Sequence, residues 1–299
     1  MKKALYAKLP TEQNNPRSRR IDTLTLEQIL HLINKEDVSV PKAVARVKPQ
    51  IADGVRLITT SLKRKGRIFF TGAGTSGRLG VLEAAECPPT FSTPPSLIQA
   101  VMAGGKKAVF QSQEGAEDKE KEGYSLFRKK LKTNDIVIGI AASGVTPFVR
   151  GAFRAAKKKH LKTILVTCNP SYKKGPLTNC VIAPYVGPEV ITGSTRLKAG
   201  TATKLVLNML TVTSMIRMGK VYRNWMVDLQ PKSRKLVFRG LRLIEQLGGV
   251  PAAEAEKVFA ASQKHVKVAI LMAQKKWDYP TAVRKLRKAN GFLQKALEE

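Results

Sequence analysis

Hydroxyl-bearing side chains follow a short apolar run in the stretch RIFFTGAGTSGRLG, residues 67–80. Four residues of strand character lead into a turn that contains Gly74, Thr75 and Ser76, and a segment of helical character follows. Glycines let the backbone approach an anion, and the amino end of a helix offers unpaired N–H groups. The turn therefore favours an anion site, although a tight turn that simply needs glycine accounts for the same residues.

The same turn lacks the features of a nucleotide site. The GxxxxGK[ST] sequence of a P-loop is absent. Gly72, Gly74 and Gly77 approximate the GxGxxG pattern of dinucleotide-binding folds, which is weak evidence when it stands alone. The next apolar run, LIQAV, ends without the carboxylate that would bind a ribose, and this argues against a dinucleotide.

A second turn of the same kind follows the run IGIAA and contains Ser143, Gly144 and Thr146. Pro147 stands directly after Thr146, as at the start of many helices. Two such turns at the carboxyl ends of parallel strands can converge on one ligand. Simple helix capping by Ser143 and Thr146 is an equally good explanation of each residue taken alone.

A third helix start combines hydroxyl and basic residues in GSTRLKAGT, which includes Ser194 and Lys198. Backbone N–H groups at the beginning of a long helix favour an anion there as well. An ordinary capped helix explains the spacing equally well. Ser194 and Lys198 are therefore candidate binding residues.

Carboxylates are scarce in this chain, yet five of them stand close to the first turn: Glu83, Glu86, Glu114, Glu117 and Asp118. A pair of carboxylates with different pKa values can serve as general acid and general base. Alternatively, the last three complement the dipole of a helix amino end, and Glu83 lies on a solvated helix face. Spacing alone does not decide between catalysis and these structural roles.

The net charge of +31 arises from 53 Lys and Arg residues against 22 Asp and Glu residues. Such a surface binds nucleic acid or attracts anionic metabolites. The basic residues are spread along the whole chain without an aromatic-interleaved motif, so specific nucleic-acid recognition is not expected. Three cysteines without a CxxC pair and three well-separated histidines predict no metal site.

Short β-branched runs alternate with helical segments between residues 57 and 220, which predicts an α/β fold with a parallel sheet covered by helices. We expect an arm and helices over 1–56, and an all-helical region over 221–299 whose last helix covers 279–297. No apolar run reaches the roughly 20 residues of a membrane helix. The first residues, MKKALYAKLP, lack the apolar core that a secretory signal needs. A cytoplasmic protein without a membrane partner is therefore expected.

Long blocks of the sequence closely resemble the N-acetylmuramic acid 6-phosphate etherases, bacterial peptidoglycan-recycling enzymes of the sugar isomerase (SIS) fold. These blocks include TGAGTSGRLGVLEAAECPPTF, MAGG…EGAED, GIAASGVTPFV, CNP and GPEVITGSTRLKAGTATKLVLNML followed by GKVYRNWMVDLQP. The resemblance extends from NPRSRRIDTLTLEQIL to residues 290–293 and so covers nearly the whole chain.

The resemblance implies a cofactor-independent lyase that converts N-acetylmuramic acid 6-phosphate to N-acetylglucosamine 6-phosphate and D-lactate by elimination and hydration. It also implies that Glu86 is the proton donor and Glu117 the other acid/base. The substrate phosphate is expected on the turns at Thr75-Ser76 and at 143–146, and a homodimer is expected. The alternative function is a non-catalytic sugar-phosphate regulator of the same fold.

The sequence departs from the family pattern at three points. Val145 stands where the family usually has Arg, so a cation near the second turn is missing. Arg223 and Trp225 replace a usual Gly and Leu before MVD. The chain is also far more basic than the resemblance predicts. These departures leave Glu86 and Glu117 in place. We expect the loss of Arg at position 145 either to weaken substrate binding or to leave its role to a neighbouring lysine.

Overall fold

The protein is described by a computed structural model, which covers residues 9–231 and 233–299. The chain forms two compact units. One unit contains Met1–Ala85 and Pro95–Thr211, and the other contains Glu86–Pro94 and Val212–Glu299. The sequence predicted three regions, with boundaries at residues 56/57 and 220/221. That division stays a prediction, and its boundaries differ from those of the two compact units.

The first unit is built on a five-stranded, all-parallel sheet with the order β2-β1-β3-β4-β5. The strands are β1 (Ile68–Gly72), β2 (Ile98–Met102), β3 (Ile136–Ile140), β4 (Lys162–Val166) and β5 (Cys180–Ile182). The predicted α/β class with a parallel sheet is thereby confirmed. Gly72, the last residue of β1, is in register with Met102 and Ile140, so three strands end at one edge of the sheet.

The centre of the sheet is apolar on both faces, as expected for parallel strands covered by helices. Every residue of β1 and of β3 is buried. Phe69 packs edge-on against Phe127 with ring centroids 6.2 Å apart, and both side chains are fully buried. This contact packs α6 against the centre of the sheet, and the loops that could bind a ligand follow the carboxyl ends of the same strands.

Helices of the first unit precede the sheet and alternate with its strands. They are α1 (Leu26–Asp37), α2 (Ser39–Ala45), α3 (Lys48–Lys63), α4 (Gly74–Phe91), α5 (Lys107–Phe110), α6 (Glu120–Lys130), α7 (Pro147–Lys158) and α8 (Lys198–Arg217). Of these, α4 and α8 continue into the second unit. Short 3-10 helices occur at Pro10–Glu12, Pro16–Ser18, Ile21–Thr23 and Ala116–Asp118.

A reciprocal capping box starts α1. The Thr25 hydroxyl accepts a hydrogen bond from the Gln28 N–H, and the Gln28 side chain accepts one from the Thr25 N–H. The helices α2 and α3 are separate, because the chain leaves helical geometry at Val47. Proline at the start of α3 suits a fresh first turn, where its missing N–H costs nothing.

The second unit contains five further helices around its own apolar core: α9 (Arg234–Gly248), α10 (Ala252–Ala261), α11 (Val266–Lys275), α12 (Tyr279–Lys288) and α13 (Leu293–Glu298). The helical character predicted for this region is therefore confirmed. The single helix expected over 279–297 is wrong. Asn290 and Gly291 have φ values of 53° and 80°, a left-handed geometry that ends a helix and forces a new start.

Candidate functional site

A polar cavity of about 350 Å³ lies at the carboxyl edge of the sheet in the first unit. Seven of the candidate residues named from the sequence line it: Gly74, Thr75, Ser76, Glu114, Glu117, Ser143 and Thr146. A larger cavity of about 1070 Å³, bordered by residues such as Lys119 and Leu177, includes Asp118 but none of the other predicted site residues. The two hydroxyl turns therefore converge on one cavity, as their positions after neighbouring strands require.

The first turn depends on a close approach between strand and helix. A Cβ atom on Gly72 would lie 2.9 Å from the Gly77 nitrogen and 2.9 Å from the Ile140 carbonyl oxygen, so only glycine fits. Gly74 has a φ of 53°, which glycine adopts without strain. In the described part of the chain, the hydroxyls of Thr75 and Ser76 have no hydrogen-bond partner. Both remain available to a ligand.

The second turn is held by backbone contacts that leave Thr146 unused. The Gly144 N–H donates to the Ala141 carbonyl at 2.8 Å, and Gly144 has a φ of 81°. The Ser143 hydroxyl accepts a long hydrogen bond of 3.4 Å from the Val145 N–H. Thr146 is the residue before α7, but its side chain makes no capping hydrogen bond. The capping explanation for Thr146 is therefore wrong, and its hydroxyl is free to bind a ligand.

Two carboxylates of the EGAED motif line the cavity. Glu117 lies half-buried in the 3-10 helix Ala116–Asp118, which begins after Gly115 at a φ of 73°. Glu114 accepts a 2.7 Å hydrogen bond from the Ser112 hydroxyl. Neither carboxylate has an ion pair within residues 9–231 and 233–299. Both are thus placed for hydrogen bonding or proton transfer to a bound molecule.

The two remaining candidate glutamates of α4 differ sharply in environment. Glu86 is exposed and belongs to the second unit, just after the point where α4 leaves the first. Glu83, expected on a solvated face, is only 4% exposed. Its carboxylate accepts a 2.7 Å hydrogen bond from the Thr211 hydroxyl and is paired with Lys204. The solvated-face interpretation of Glu83 is wrong, because α8 supplies both of these partners.

The start of α8 is already occupied by an anion of the protein itself. The buried Glu189 carboxylate accepts hydrogen bonds of 2.9 Å from the backbone N–H groups of both Lys198 and Ala199. Burial raises the pKa of Glu189, although these two hydrogen bonds oppose the rise. The Lys198 ammonium does not line the cavity but lies 2.5 Å from the Glu36 carboxylate. Ser194 lies between two lining residues, Gly193 and Thr195.

Three lining residues carried no signal in the sequence. Thr11 and Glu12 belong to the arm that precedes α1, and Arg78 lies one turn into α4. The Arg78 guanidinium donates a 2.9 Å hydrogen bond to the Val109 carbonyl. Long-range packing brings Thr11 and Glu12 to the cavity, whereas Arg78 reaches it as part of the helix that the first turn begins.

The described residues hold no cluster of three or more His, Cys, Asp or Glu side chains that could bind a metal ion. Over the same residues, no helix combines the length and the apolar character needed to traverse a bilayer.

Comparison with known proteins gives one family match and many close relatives. The family model "Glucokinase regulatory protein N-terminal SIS domain" matches residues 50–157. Two phosphoheptose isomerase structures, from Neisseria gonorrhoeae and Francisella tularensis, are 15% and 18% identical, with TM-scores of 0.48 and 0.47. Each covers 64% of this chain, which spans 98% and 100% of theirs.

Curated relatives are much more similar. The N-acetylmuramic acid 6-phosphate etherase of Salinibacter ruber is 48% identical over 97% of this chain and 94% of its own length. N-acetylmuramic acid 6-phosphate etherase 2 of Vibrio cholerae is 46% identical over 99% and 97%. The corresponding etherase of Geobacillus thermodenitrificans is 45% identical over 97% and 99%. Identity at this level over both full lengths shows that the chain belongs to the N-acetylmuramic acid 6-phosphate etherase family.

Proposed function

We propose that this chain cleaves the D-lactyl ether of N-acetylmuramic acid 6-phosphate and releases N-acetylglucosamine 6-phosphate and D-lactate. It is then a carbon–oxygen lyase. The relatives named for this activity align with almost every residue of the chain. The observation that carries the proposal within the structure is the convergence of two hydroxyl turns and the Glu117 carboxylate on one cavity.

The hydroxyl turns suit the phosphate group of such a substrate. Thr75, Ser76 and Thr146 each offer a hydroxyl that the described residues leave without a partner, and Ser143 contributes a fourth at the same cavity. Backbone N–H groups at the start of α4 add donors that are oriented by the helix. We assign the phosphate to these donors, with Gly74 and Gly144 giving the turns their left-handed geometry.

The carboxylates suit the elimination. In the open-chain sugar the C1 aldehyde acidifies the C2 proton, which a carboxylate base removes. The C3–oxygen bond then breaks, and an acid delivers a proton to the departing lactate oxygen. Water adds its hydroxyl to C3 of the resulting double bond while C2 regains a proton, so the net reaction is hydrolysis of the ether. We assign the proton donor to Glu86 and the other acid/base role to Glu117.

The two predicted contacts at the start of α8 receive different roles. Ser194 is retained as a contact because both of its neighbours line the cavity. Lys198 is predicted as a binding residue, but its side chain is 2% exposed and its ammonium is paired with Glu36. We therefore propose that Lys198 supports the site by holding the segment before α8 in place.

The proposal includes a homodimer that acts in the cytoplasm without a metal or organic cofactor. The dimer, the location and the absence of a cofactor rest on the family resemblance. The elimination and hydration require only acid and base groups from the protein. Static light scattering of the purified protein tests the dimer, with a mass near twice 32.8 kDa expected. A mass of one chain at micromolar concentration would contradict it.

The decisive experiment is an assay of D-lactate release from N-acetylmuramic acid 6-phosphate in D₂O, with and without a chelator. We expect lactate release in both conditions and deuterium at C2 of the sugar product, because C2 regains its proton from solvent. Failure to release lactate, with or without added divalent metal, would contradict the proposal. Tight sugar-phosphate binding without any release would favour the regulator instead.

A further inference from the structure

The arm that precedes α1 contributes a carboxylate to the cavity. Thr11 and Glu12 end the 3-10 helix Pro10–Glu12 and both line the cavity beside Thr75 and Ser76. Thr11 is 4% exposed, whereas Glu12 is exposed and lines the cavity. Glu12 is thus presented to the same space as the turns that we assign to the phosphate.

The Glu12 carboxylate is positioned by its immediate neighbours. The Gly193 N–H donates to the Thr11 carbonyl at 3.2 Å, which joins the arm to the segment before α8. The Thr11 hydroxyl donates to one carboxylate oxygen of Glu12 at 3.2 Å. A Cβ atom on Gly193 would lie 3.6 Å from the other oxygen, and Gly193 has a φ of 80°. The carboxylate therefore lies beside a turn whose left-handed geometry glycine adopts without strain.

A buried anchor fixes the arm three residues further on. The Asn15 amide donates to the Glu36 carboxylate at 2.9 Å and to the Pro188 carbonyl at 3.3 Å. Arg17 and Lys198 approach the two oxygens of the same carboxylate at 2.5 Å each. Glu36 and Lys198 are both about 1% exposed, so these contacts join the arm to the buried interior of the first unit three residues after Glu12.

The charges around the cavity limit what Glu12 can bind. Among the described residues that line it, Arg78 is the sole cation, and Glu12 has no ion pair with it or with any other described residue. A carboxylate without a cation repels a phosphate and accepts hydrogen bonds from neutral donors. The hydroxyl groups and the amide N–H of an amino sugar are such donors.

We propose that Glu12 is a substrate-contacting residue that accepts hydrogen bonds from hydroxyl or amide N–H groups of the sugar. This inference rests on the proposed function, since it takes the phosphate on the two turns and the sugar beyond them as given. Glu12 then determines affinity for the sugar portion, and the turns determine affinity for the phosphate. Because Glu12 binds the sugar and the turns bind the phosphate, the site selects an amino-sugar phosphate over inorganic phosphate.

The test compares Glu12→Ala and Glu12→Gln with Asn14→Ala, an exposed change on the same arm. Isothermal calorimetry with N-acetylglucosamine 6-phosphate measures binding without turnover. We expect Glu12→Ala to weaken binding at least about tenfold, because hydrogen bonds to a charged group are lost. Glu12→Gln should weaken it less, since the amide oxygen still accepts, and Asn14→Ala should bind like wild type.

Thermal unfolding of each variant separates contact from folding, and all three should unfold within about a degree of wild type because both positions are exposed. Unchanged binding in Glu12→Ala, or equal losses in Glu12→Ala and Asn14→Ala, would overturn the inference. So would a wild-type protein that does not bind the sugar phosphate. If wild type binds it but releases no lactate, the proposed function fails while the role of Glu12 is still decided by the binding data.

Discussion

Lys198 and Glu36 form a buried ion pair in which the ammonium nitrogen lies 2.5 Å from a carboxylate oxygen. Their side chains are 2% and 1% exposed. The pair joins α1 to the start of α8, although 162 residues separate the partners in the sequence. It holds together the arm and the segment that both contribute to the cavity.

Replacing Lys198 by Met leaves the Glu36 carboxylate buried with only Arg17 and Asn15 as partners. Removal of one partner from a buried pair costs about 3–5 kcal/mol, so we expect a loss of that size in the free energy of unfolding of the first unit. Urea titration followed by hydrogen exchange of the sheet amides measures it. The exposed Lys121→Met is the control, and a Lys198→Met effect no larger than this control would contradict the anchor.

Acid should weaken the same anchor. Burial by itself raises the pKa of Glu36, but hydrogen bonds from Lys198 and Asn15 and the charges of Lys198 and Arg17 outweigh it, so the pKa lies below its ordinary value of 4.5. A carboxyl whose pKa falls on folding contributes stability that is complete above its unfolded pKa and is lost as the pH drops through the folded one.

We therefore compare the thermal midpoints of wild type and Glu36→Gln from pH 7 downward. The wild-type advantage should stay constant until the pH nears 4.5 and then shrink as the pH falls further. Glu254→Gln, in an exposed pair with Lys276, provides the control and should show a much smaller difference at every pH. A difference between wild type and Glu36→Gln that does not depend on pH would show that protonation of Glu36 is not involved.

The two assigned glutamates should differ in what their loss prevents. Glu117→Gln and Glu86→Gln are each expected to lower kcat for lactate release by roughly 100- to 10,000-fold, the usual contribution of a general acid or base. With Glu86→Gln, exchange of the C2 proton of the product with D₂O should continue, because that step does not involve the departing oxygen. Glu122→Gln, an exposed neighbour of Glu117 in sequence, is the control. Turnover at the wild-type rate in Glu86→Gln would remove Glu86 from the mechanism.

Thr146→Val tests the second turn with little risk to folding. The Thr146 side chain makes no capping hydrogen bond, so the thermal midpoint should stay close to that of wild type. Loss of one hydroxyl donor to a charged phosphate should raise KM about tenfold while kcat changes little. Ser233→Ala removes a real helix cap in α9 and should show the opposite behaviour, with lower stability and an unchanged KM. A Thr146→Val protein with the KM of wild type would remove this hydroxyl from the phosphate site.

Much of the fold can be predicted from the sequence because its signals are local. Apolar β-branched runs followed by Gly-Thr or Ser-Gly turns indicate strands that end at one edge of a parallel sheet. The turns at Thr75-Ser76 and Ser143–Thr146 can be paired on this basis alone. The helix break at Asn290-Gly291 escapes prediction, because the conformational preference of two residues is a weaker signal than the helical pattern on both sides.

The parts of the site that escape prediction depend on distant partners. Glu12 is an ordinary glutamate in a polar arm, and it reaches the cavity only because Glu36 and the segment before α8 hold that arm. The position of Glu83 in its helix predicts a solvent-exposed side chain. Glu83 is buried instead, where it contacts Lys204 and Thr211. No local pattern records such partners, since the contacts are made by residues far away in the sequence.

The capping of α8 by Glu189 has a consequence for selectivity. The start of a helix favours a small anion, and α4, α7 and α8 all begin within or close to the residues that line the cavity. By placing its own carboxylate on the N–H groups of Lys198 and Ala199, the chain acts as its own competitive ligand at the third start. At the proposed phosphate site, the N–H groups at the starts of α4 and α7 therefore stay open to a ligand, whereas those at the start of α8 are already bound to the Glu189 carboxylate.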